Sequence, residues 1–316
     1  MKVKQLRIAG LGDYDNYLSY FTYGIMEGSI RAGHMFRPVP FFNTTLDSVY
    51  EQIVWFKPHI LLCHMIFGCS HYYEQDRVLS MLFNLRKKHN IFIVYHAGDA
   101  RLNPRYRGDI SNFVDLGLLN QDNCDYYSGI WKIPVIRWPY MCLYQEQMAE
   151  PVSMFRCRVA FTGEMGGGVH KERTDFVRKL QSSGIDVKIF PTPESGNTRF
   201  QTAELAASAD TVLGMQMERS LRGYLDVRPF QYIGAGAVYL HDSCIQMRES
   251  FEKDIHYFEY NKDDIKSIYD IFDSISKYPE LSSIIRHEGF KYCQEKHSTK
   301  QRIEQIVNKY LETKNV

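Results

Sequence analysis

Residues 223–242 read G-Y-L-D-V-R-P-F-Q-Y-I-G-A-G-A-V-Y-L-H-D. Val227 to Gly234 places apolar residues at helical spacing and stops in Gly-Ala-Gly, and Ala237 to Leu240 is a short apolar run that includes a β-branched valine. The pattern predicts helix, tight turn, buried strand. In a parallel α/β sheet such a unit delivers the carboxyl end of its strand, here His241-Asp242, to the edge where ligands bind. That polar pair is therefore a candidate site.

Working outward, the same alternation of strand and helix recurs through the chain. Leu6 to Leu11 predicts a strand, a glycine turn follows, and Asn16 to Ala32 a helix. Strands follow at Phe36–Pro40, His59–His64 and Ile91–His96, separated by helices at Leu46–Phe56 and about Asp76–Lys88. Phe113 to Leu119 reads as a helix or turn, Gln121 to Tyr127 as acidic polar chain, and Val135 to Trp138 as the last strand of the first half. Prolines and loss of alternation between Met141 and Ser153 suggest a linker. The second half restarts with the strand Arg158–Thr162, the loop G-E-M-G-G-G-V-H-K-E-R, the helix Glu172–Ser182 and the strand Asp186–Phe190. Thr202 to Gly214 is then helix and strand, His256–Tyr260 a strand, and Asp263–Lys277 and Pro279–His297 amphipathic helices. A final helix is capped by Ser298 or Thr299 and carries Ile303, Ile306, Val307 and Tyr310 on one face. Strands alternating with helices predict parallel, doubly wound sheets, and 316 residues exceed one typical core.

Composition narrows the partners. A net charge of +1 argues against affinity for nucleic acid through bulk charge. The seven cysteines are scattered without a C-x-x-C pair and read as reduced thiols of a cytoplasmic protein. No apolar run approaches the ~20 residues of a membrane span, and the amino terminus runs directly into a strand. G-L-G-D-Y-D after the first strand lacks the third glycine of a dinucleotide fingerprint, and Asp13 and Asp15 read as solvated turn residues more readily than as a metal-holding D-x-D.

Candidate site residues gather at predicted strand ends and in two loops. His64, Tyr72, and His96 with Asp99 fall at carboxyl ends in the first half. Tyr95 to Asp109 is a polar loop on a rigid sheet, a usual place for binding and catalysis. Asp99 there can serve as a base toward an acceptor hydroxyl, or pair with Arg101 or cap a turn. Arg101, Arg105 and Arg107 around Tyr106 can grip phosphates and stack on a base, or lie solvated. Exposed wedges for flipping a base would come from Phe67, Tyr72 and Tyr73, residues that also suit a core. In the second half, the strand, Gly166-Gly167-Gly168 and helix order forms a ready anion site, or a flexible turn, without the G-K-[ST] of a Walker loop. Met215, Gln216 and Met217 at a strand tip can wall a nucleobase or pack.

The run R-x-F-Q-x-x-G-x-G-A-x-x-L-x-D, followed by F-E-K-D-I-H-Y-F-E-Y, resembles the donor-binding half of the GT-B glycosyltransferases, closest to the CgeB-like, spore-maturation type. The resemblance spans about Arg158 to Val307 and extends to the first half only in general layout. It implies two facing Rossmann-like domains, residues 1–145 on the acceptor side and 153–297 on the donor side, with the helix from 298 to 316 crossing back to the first. It further implies a nucleotide-sugar co-substrate, UDP-sugar by expectation, and no bound cofactor or metal. By the same resemblance Gly166, Gly167 and Gly168 approach the diphosphate, Lys171 or Arg173 supplies charge, and Arg228 neutralises phosphate unless it pairs with Asp226 or Asp242. Asp99 or His96 would orient or deprotonate the acceptor. The family's glutamate is Gln231 here and a second superfamily glutamate is Gly223, so Gln231 keeps hydrogen bonding to a ribose but not the charge-assisted part. The acceptor class stays open among a protein or surface glycan, a small metabolite and a hydroxymethylated DNA base. A non-catalytic nucleotide-sugar-binding module and a nucleotide-sugar epimerase are the alternatives.

Overall fold

The structure is a computed structural model that describes residues 5–12, 20–42, 44–64, 66–67, 73–97, 108–163, 165–167, 170–190, 199–216 and 223–314. The chain divides into two compact units, one of Met1–Pro139 with Thr299–Val316, the other of Tyr140–Ser298.

The first unit contains β1 (Arg7–Gly12), α1 (Tyr20–Arg31), β2 (Met35–Pro40), α2 (Leu46–Phe56), β3 (Ile60–His64), α3 (Gln75–His89), β4 (Phe92–His96), β5 (Leu116–Leu119), α4 (Cys124–Trp131) and β6 (Val135–Arg137). Its sheet runs β2-β1-β3-β4-β5-β6, all parallel. Because side chains alternate along a strand, Leu61, Cys63, Ile93 and Tyr95 share one face, where they join a core with Val49, Ile53, Leu82, Leu85 and Trp131 of α2, α3 and α4. The opposite face carries Phe92, whose ring meets Tyr310 edge-on at 5.5 Å. The chain reverses its direction of travel through this sheet between β1 and β3, the switch point at which ligands of open α/β sheets gather.

The stretch Phe113–Leu119 is a correction, because Leu116–Leu119 is a fully buried strand rather than a helix or turn. Its glycine hid it. A Cβ on Gly117 would lie 2.8 Å from the Trp131 ring and 3.0 Å from Val135, so the indole of α4 requires glycine in the strand beneath it.

The second unit opens with a 3-10 turn at Ser153–Phe155, then β7 (Cys157–Thr162), α5 (Lys171–Ser182), β8 (Val187–Phe190), α6 (Arg199–Ser208), β9 (Ala209–Gly214), α7 (Val227–Ile233), β10 (Tyr239–Asp242), α8 (Ile245–Ser250), β11 (Phe258–Tyr260), α9 (Lys266–Lys277) and α10 (Glu280–Lys296). The order β11-β10-β9-β7-β8 is again all parallel, with its switch point between β7 and β9. Met141–Ser153, read from sequence as a linker, begins as packed chain of this unit. The Cys142 N–H donates to His297 O at 2.9 Å, and Cys142 Cβ stands 2.3 Å from where a Cβ on Gly234 would lie.

The chain ends in α11 (Thr299–Lys314), which lies on α1 within the first unit. Ile303, Ile306 and Val307 are buried, and the Thr299 hydroxyl donates to Glu27 Oε2 at 2.9 Å. Gly28 allows this approach, since a Cβ there would fall 2.4 Å from Thr299 O. Among the described residues no helix is long and apolar enough to cross a membrane.

Candidate active-site elements

At the switch point of the second sheet, β7 ends in Thr162 and turns at Gly163, whose φ of +150° favours glycine. A Cβ on Gly163 would lie 3.0 Å from Arg228 Nη1 and 3.3 Å from Arg173 Cζ, so two guanidinium groups converge on this turn. Arg173, buried in the first turn of α5, donates toward His170 Nδ1 at 3.1 Å and lies 5.7 Å from the centroid of the Phe161 ring. Arg228 donates from Nη1 to Thr162 O at 3.2 Å and from Nη2 to Asp226. Asp226 also caps α7, accepting from the Arg228 N–H at 3.0 Å. Burial alone would raise the Asp226 carboxyl, but the Arg228 charge and its hydrogen bonds outweigh that and hold it below the usual carboxylate range. The ion pair with Asp226 is therefore formed, and the Arg228 guanidinium reaches the turn from within it.

Gly166 and Gly167 are exposed, and a Cβ on either would meet nothing within 4 Å. Open space, rather than crowding, surrounds this loop. Gly166 N–H donates to Thr174 Oγ1 at 2.8 Å, tying the loop to the first turn of α5. Lys171 sits exposed at the start of α5 and pairs with Asp175 one turn on. Gly168 lies outside the described residues.

Met215 and Gln216, expected to wall a base, face inward. Met215 is a core side chain packed with Val159, Phe161 and Leu240. Gln216 donates its N–H to Asp242 Oδ1 at 2.8 Å and its amide Nε2 to Tyr224 O at 3.1 Å, which ties the tip of β9 to the tip of β10. Gln231 is buried in α7. The strand-tip pair His241-Asp242 is wholly buried, with the His241 Nδ1 at 2.8 Å from Asp242 O. Among the described residues, His241, Asp242 and Cys244 are the one group whose ligand atoms cluster as a metal would need, all within 4.8 Å.

In the first unit, parallel pairing sets His64 directly beside His96. Their rings stack at 5.0 Å with 16° between planes, and their Nδ1 atoms lie 2.9 Å apart. His96 Nε2 reaches Asn120 Oδ1 at 3.1 Å, and the Trp138 ring closes over it edge-on at 5.1 Å. Burial pushes the His96 imidazole down to about 4, against the raising effect of Asn120. With both ring nitrogens engaged and no exposed surface, His96 does not present a base to a substrate, which corrects the role expected of it. His64 is the half-buried, outward member. Asn120 escaped the sequence reading together with the strand that it follows. Phe67 is buried against Tyr95, and the Tyr73 hydroxyl donates to Phe41 O at 2.9 Å, so neither is a wedge. Tyr72, Asp99, Arg101, Arg105, Tyr106 and Arg107 lie outside the described residues.

Residues 173–308 match a family model described as glycosyl transferase-like. No curated protein sequence matches the chain significantly. Among solved structures, a glycosyltransferase from Rickettsia africae superposes with a TM-score of 0.60 at 8% identity, over 98% of each chain. HepE of Anabaena, in complex with UDP-glucose, gives 0.58 at 10% identity, over 96% of this chain and 99% of that one. The T4 phage glucosyltransferase BGT in complex with UDP-glucose gives 0.61 at 11% identity, over 96% and 99%. The two parallel-sheet units have the GT-B glycosyltransferase fold. The family match covers residues 173–308, and the likeness to the solved glycosyltransferases is one of fold.

Proposed function

We propose that this protein transfers a sugar from a nucleoside diphosphate sugar to an acceptor hydroxyl, and that the second unit holds the donor at the β7–α5 turn. The observation that carries this is the convergence of Arg173 and Arg228 on Gly163, at the switch point of the sheet. Two fixed cations beside a glycine turn and a helix amino terminus form a setting for a diphosphate, and they oppose charge that grows on it as the glycosidic bond breaks. On this reading the guanidinium groups supply what a divalent metal supplies elsewhere, and turnover persists in chelator. UDP is the expected nucleotide, because HepE and BGT bind UDP-glucose within the same fold. The motif ending in G-x-G-A resembles the CgeB-like type, and free thiols suit a cytoplasmic setting.

A thermal-shift and calorimetric panel of UDP, GDP, dTDP and CMP sugars tests the donor site. A ligand at 100 times its Kd adds about 2.7 kcal/mol to the stability of the folded state. A shift with UDP sugars alone supports the reading, and none with any nucleotide at millimolar concentration refutes it. Binding without UDP release in the presence of acceptors would favour a non-catalytic module. Acceptor screening starts with hydroxymethylated DNA, since a solved enzyme of this fold is described as DNA-modifying, and continues with glycans.

A further inference from the structure

We infer that the second unit carries a further anion site, a hollow at the amino-terminal end of its sheet where Arg158 and Arg286 take the phosphate group of a small hydroxylated molecule. The site is built from residues of this unit alone and stands independently of the sugar-transfer reading.

The hollow has a volume of about 200 Å³ and lies where β7 and β9 begin, beside the end of α9 and the start of α10. That is below the ~300–1,000 Å³ that encloses a drug-sized ligand, and it suits a phosphate with a few attached atoms. Three charged side chains line it: Arg158, Asp210 and Arg286. Among the described residues, no two of them stand in ion-pair contact, and none pairs with a charge elsewhere.

Arg286 is the fixed part of the site. Its half-buried guanidinium donates from Nη1 to Ala206 O at 2.7 Å and to Gly236 O at 2.9 Å, and from Nη2 to Ala209 O at 2.7 Å. These carbonyls hold the group in place without neutralising it. Burial lowers the pKa of Arg286 and the nearby Asp210 offsets part of that effect, but a guanidinium keeps its charge at any ordinary pH. Of its five N–H donors, Nε–H and one Nη2–H have no acceptor among the described residues. These two nitrogens share the edge through which a guanidinium grips two oxygens of an oxyanion. Arg158 supplies the second cation. Its Cζ lies 4.6 Å from the centroid of the buried Phe272 ring, a contact that restrains an otherwise exposed side chain at the hollow. Ser276 and Ser282 add hydroxyls to the lining.

Charge selects the occupant. Two guanidinium groups against one carboxylate favour an anion over a cation. The three terminal oxygens of a phosphate monoester serve the Arg286 edge and Arg158 together, whereas a carboxylate has only two. Asp210 repels the phosphate itself and accepts from a hydroxyl on the attached group, which points to a phosphorylated polyol. Arg158 stands near the start of β7 and Thr162 at its end, about 13 Å further along the strand at ~3.3 Å per residue. The hollow is therefore separate from the proposed donor site.

The test is calorimetric titration of the full chain at fixed ionic strength, with inorganic phosphate and glycerol 3-phosphate as separate probes. Both are expected to bind, glycerol 3-phosphate the more tightly, and equal affinities would overturn the assignment of a hydroxyl to Asp210. Arg286 also holds three backbone carbonyls, so the deciding variant is Arg158→Gln, at an exposed position. It should weaken both probes by roughly tenfold or more, as loss of a hydrogen bond to a charged group does. Asp210→Asn removes the opposing charge and should tighten inorganic phosphate by about two- to fivefold, the scale of an exposed charge interaction. Arg228→Met, titrated well below its Tm, should bind phosphate as the wild type does. Loss of binding in Arg228→Met but not in Arg158→Gln would put the anion at the donor turn and overturn the inference. Absence of binding by either probe at tens of millimolar, or binding that Arg158→Gln leaves intact, overturns it as well.

Discussion

Replacing Arg228 separates its structural pairing from the donor-binding role proposed for it. Its guanidinium pairs with Asp226 and donates to Thr162 O, and each side chain of the pair is only 15% exposed. Arg228→Met removes the cation while keeping much of the volume, and leaves the Asp226 carboxylate mostly buried. Breaking a buried pair in this way costs about 3–5 kcal/mol, and the residual exposure together with the retained Arg228 N–H to Asp226 bond favours the lower end. A loss of about 3 kcal/mol corresponds to roughly 6–12 °C in Tm for a unit of this size. The penalty carries its own pH signature. In the wild type the depressed Asp226 value contributes stability above the unfolded carboxylate value, and that contribution is lost as pH falls through the lower folded value. In the variant the carboxyl has lost its partner, burial raises it, and acidification toward pH 5 relieves the strain instead. The variant should therefore close part of its gap to the wild type on moving from pH 7 to pH 5, and Arg228→Met with Asp226→Asn should recover most of the lost Tm. Calorimetry with UDP, run well below the lowered Tm, reads the second role, and affinity is expected to fall at least tenfold in both variants. Wild-type Tm and wild-type UDP affinity in Arg228→Met would refute both the energetic account and the donor assignment.

Three further outcomes are expected. Gly28→Ala drives a methyl against the Thr299 carbonyl, and overpacking against backbone should cost about 1–3 kcal/mol in denaturant titration and expose the 299–316 segment to protease; unchanged stability would show that α11 does not lie on α1 as described. His96 is neutral when folded and titrates near 4 against 6.5 unfolded, so its contribution is full above pH 6.5 and declines by about 3 kcal/mol as pH falls from 6.5 to 4; His96→Gln should flatten that slope, and an unaltered slope would assign it to other groups. The Tyr239 hydroxyl is buried without a hydrogen-bond partner among the described residues, over Gly214, so Tyr239→Phe should be neutral or stabilise by about 1 kcal/mol in a thermal melt, and a clear loss would reveal a partner for it.

Local signals carried most of the fold. Helix stops, capping residues and apolar runs lie within a few residues of one another, and they located β7, α5, α7 and β10, the elements around the proposed donor site. The strand β5 was lost because L-G-L-L takes its glycine from a tertiary demand: the Trp131 indole, fourteen positions on, occupies the space of the missing side chain. The inward turn of Met215 and Gln216 was equally invisible, since a strand tip reads the same whether its residues face a ligand or a neighbouring strand. Asp226 and Arg228 lie two positions apart, and their pairing was one of the alternatives the sequence itself presented.

The paired histidines His64 and His96 show where a single sequence reaches its limit and why. A strand in a parallel sheet announces its carboxyl end, so His64 and His96 were both visible as strand-tip residues, and nothing local ranks one above the other. The ranking comes from register and depth. Pairing sets His64 opposite His96, β5 brings Asn120 behind His96, and Trp138 closes the far side. Each contact spans 20 or more residues of chain, and together they separate two equivalent imidazoles into a buried inner ring and a half-buried outer one. That separation becomes legible only once the pairing of β4 with β5 is known, because this pairing is what carries Asn120 to the buried ring.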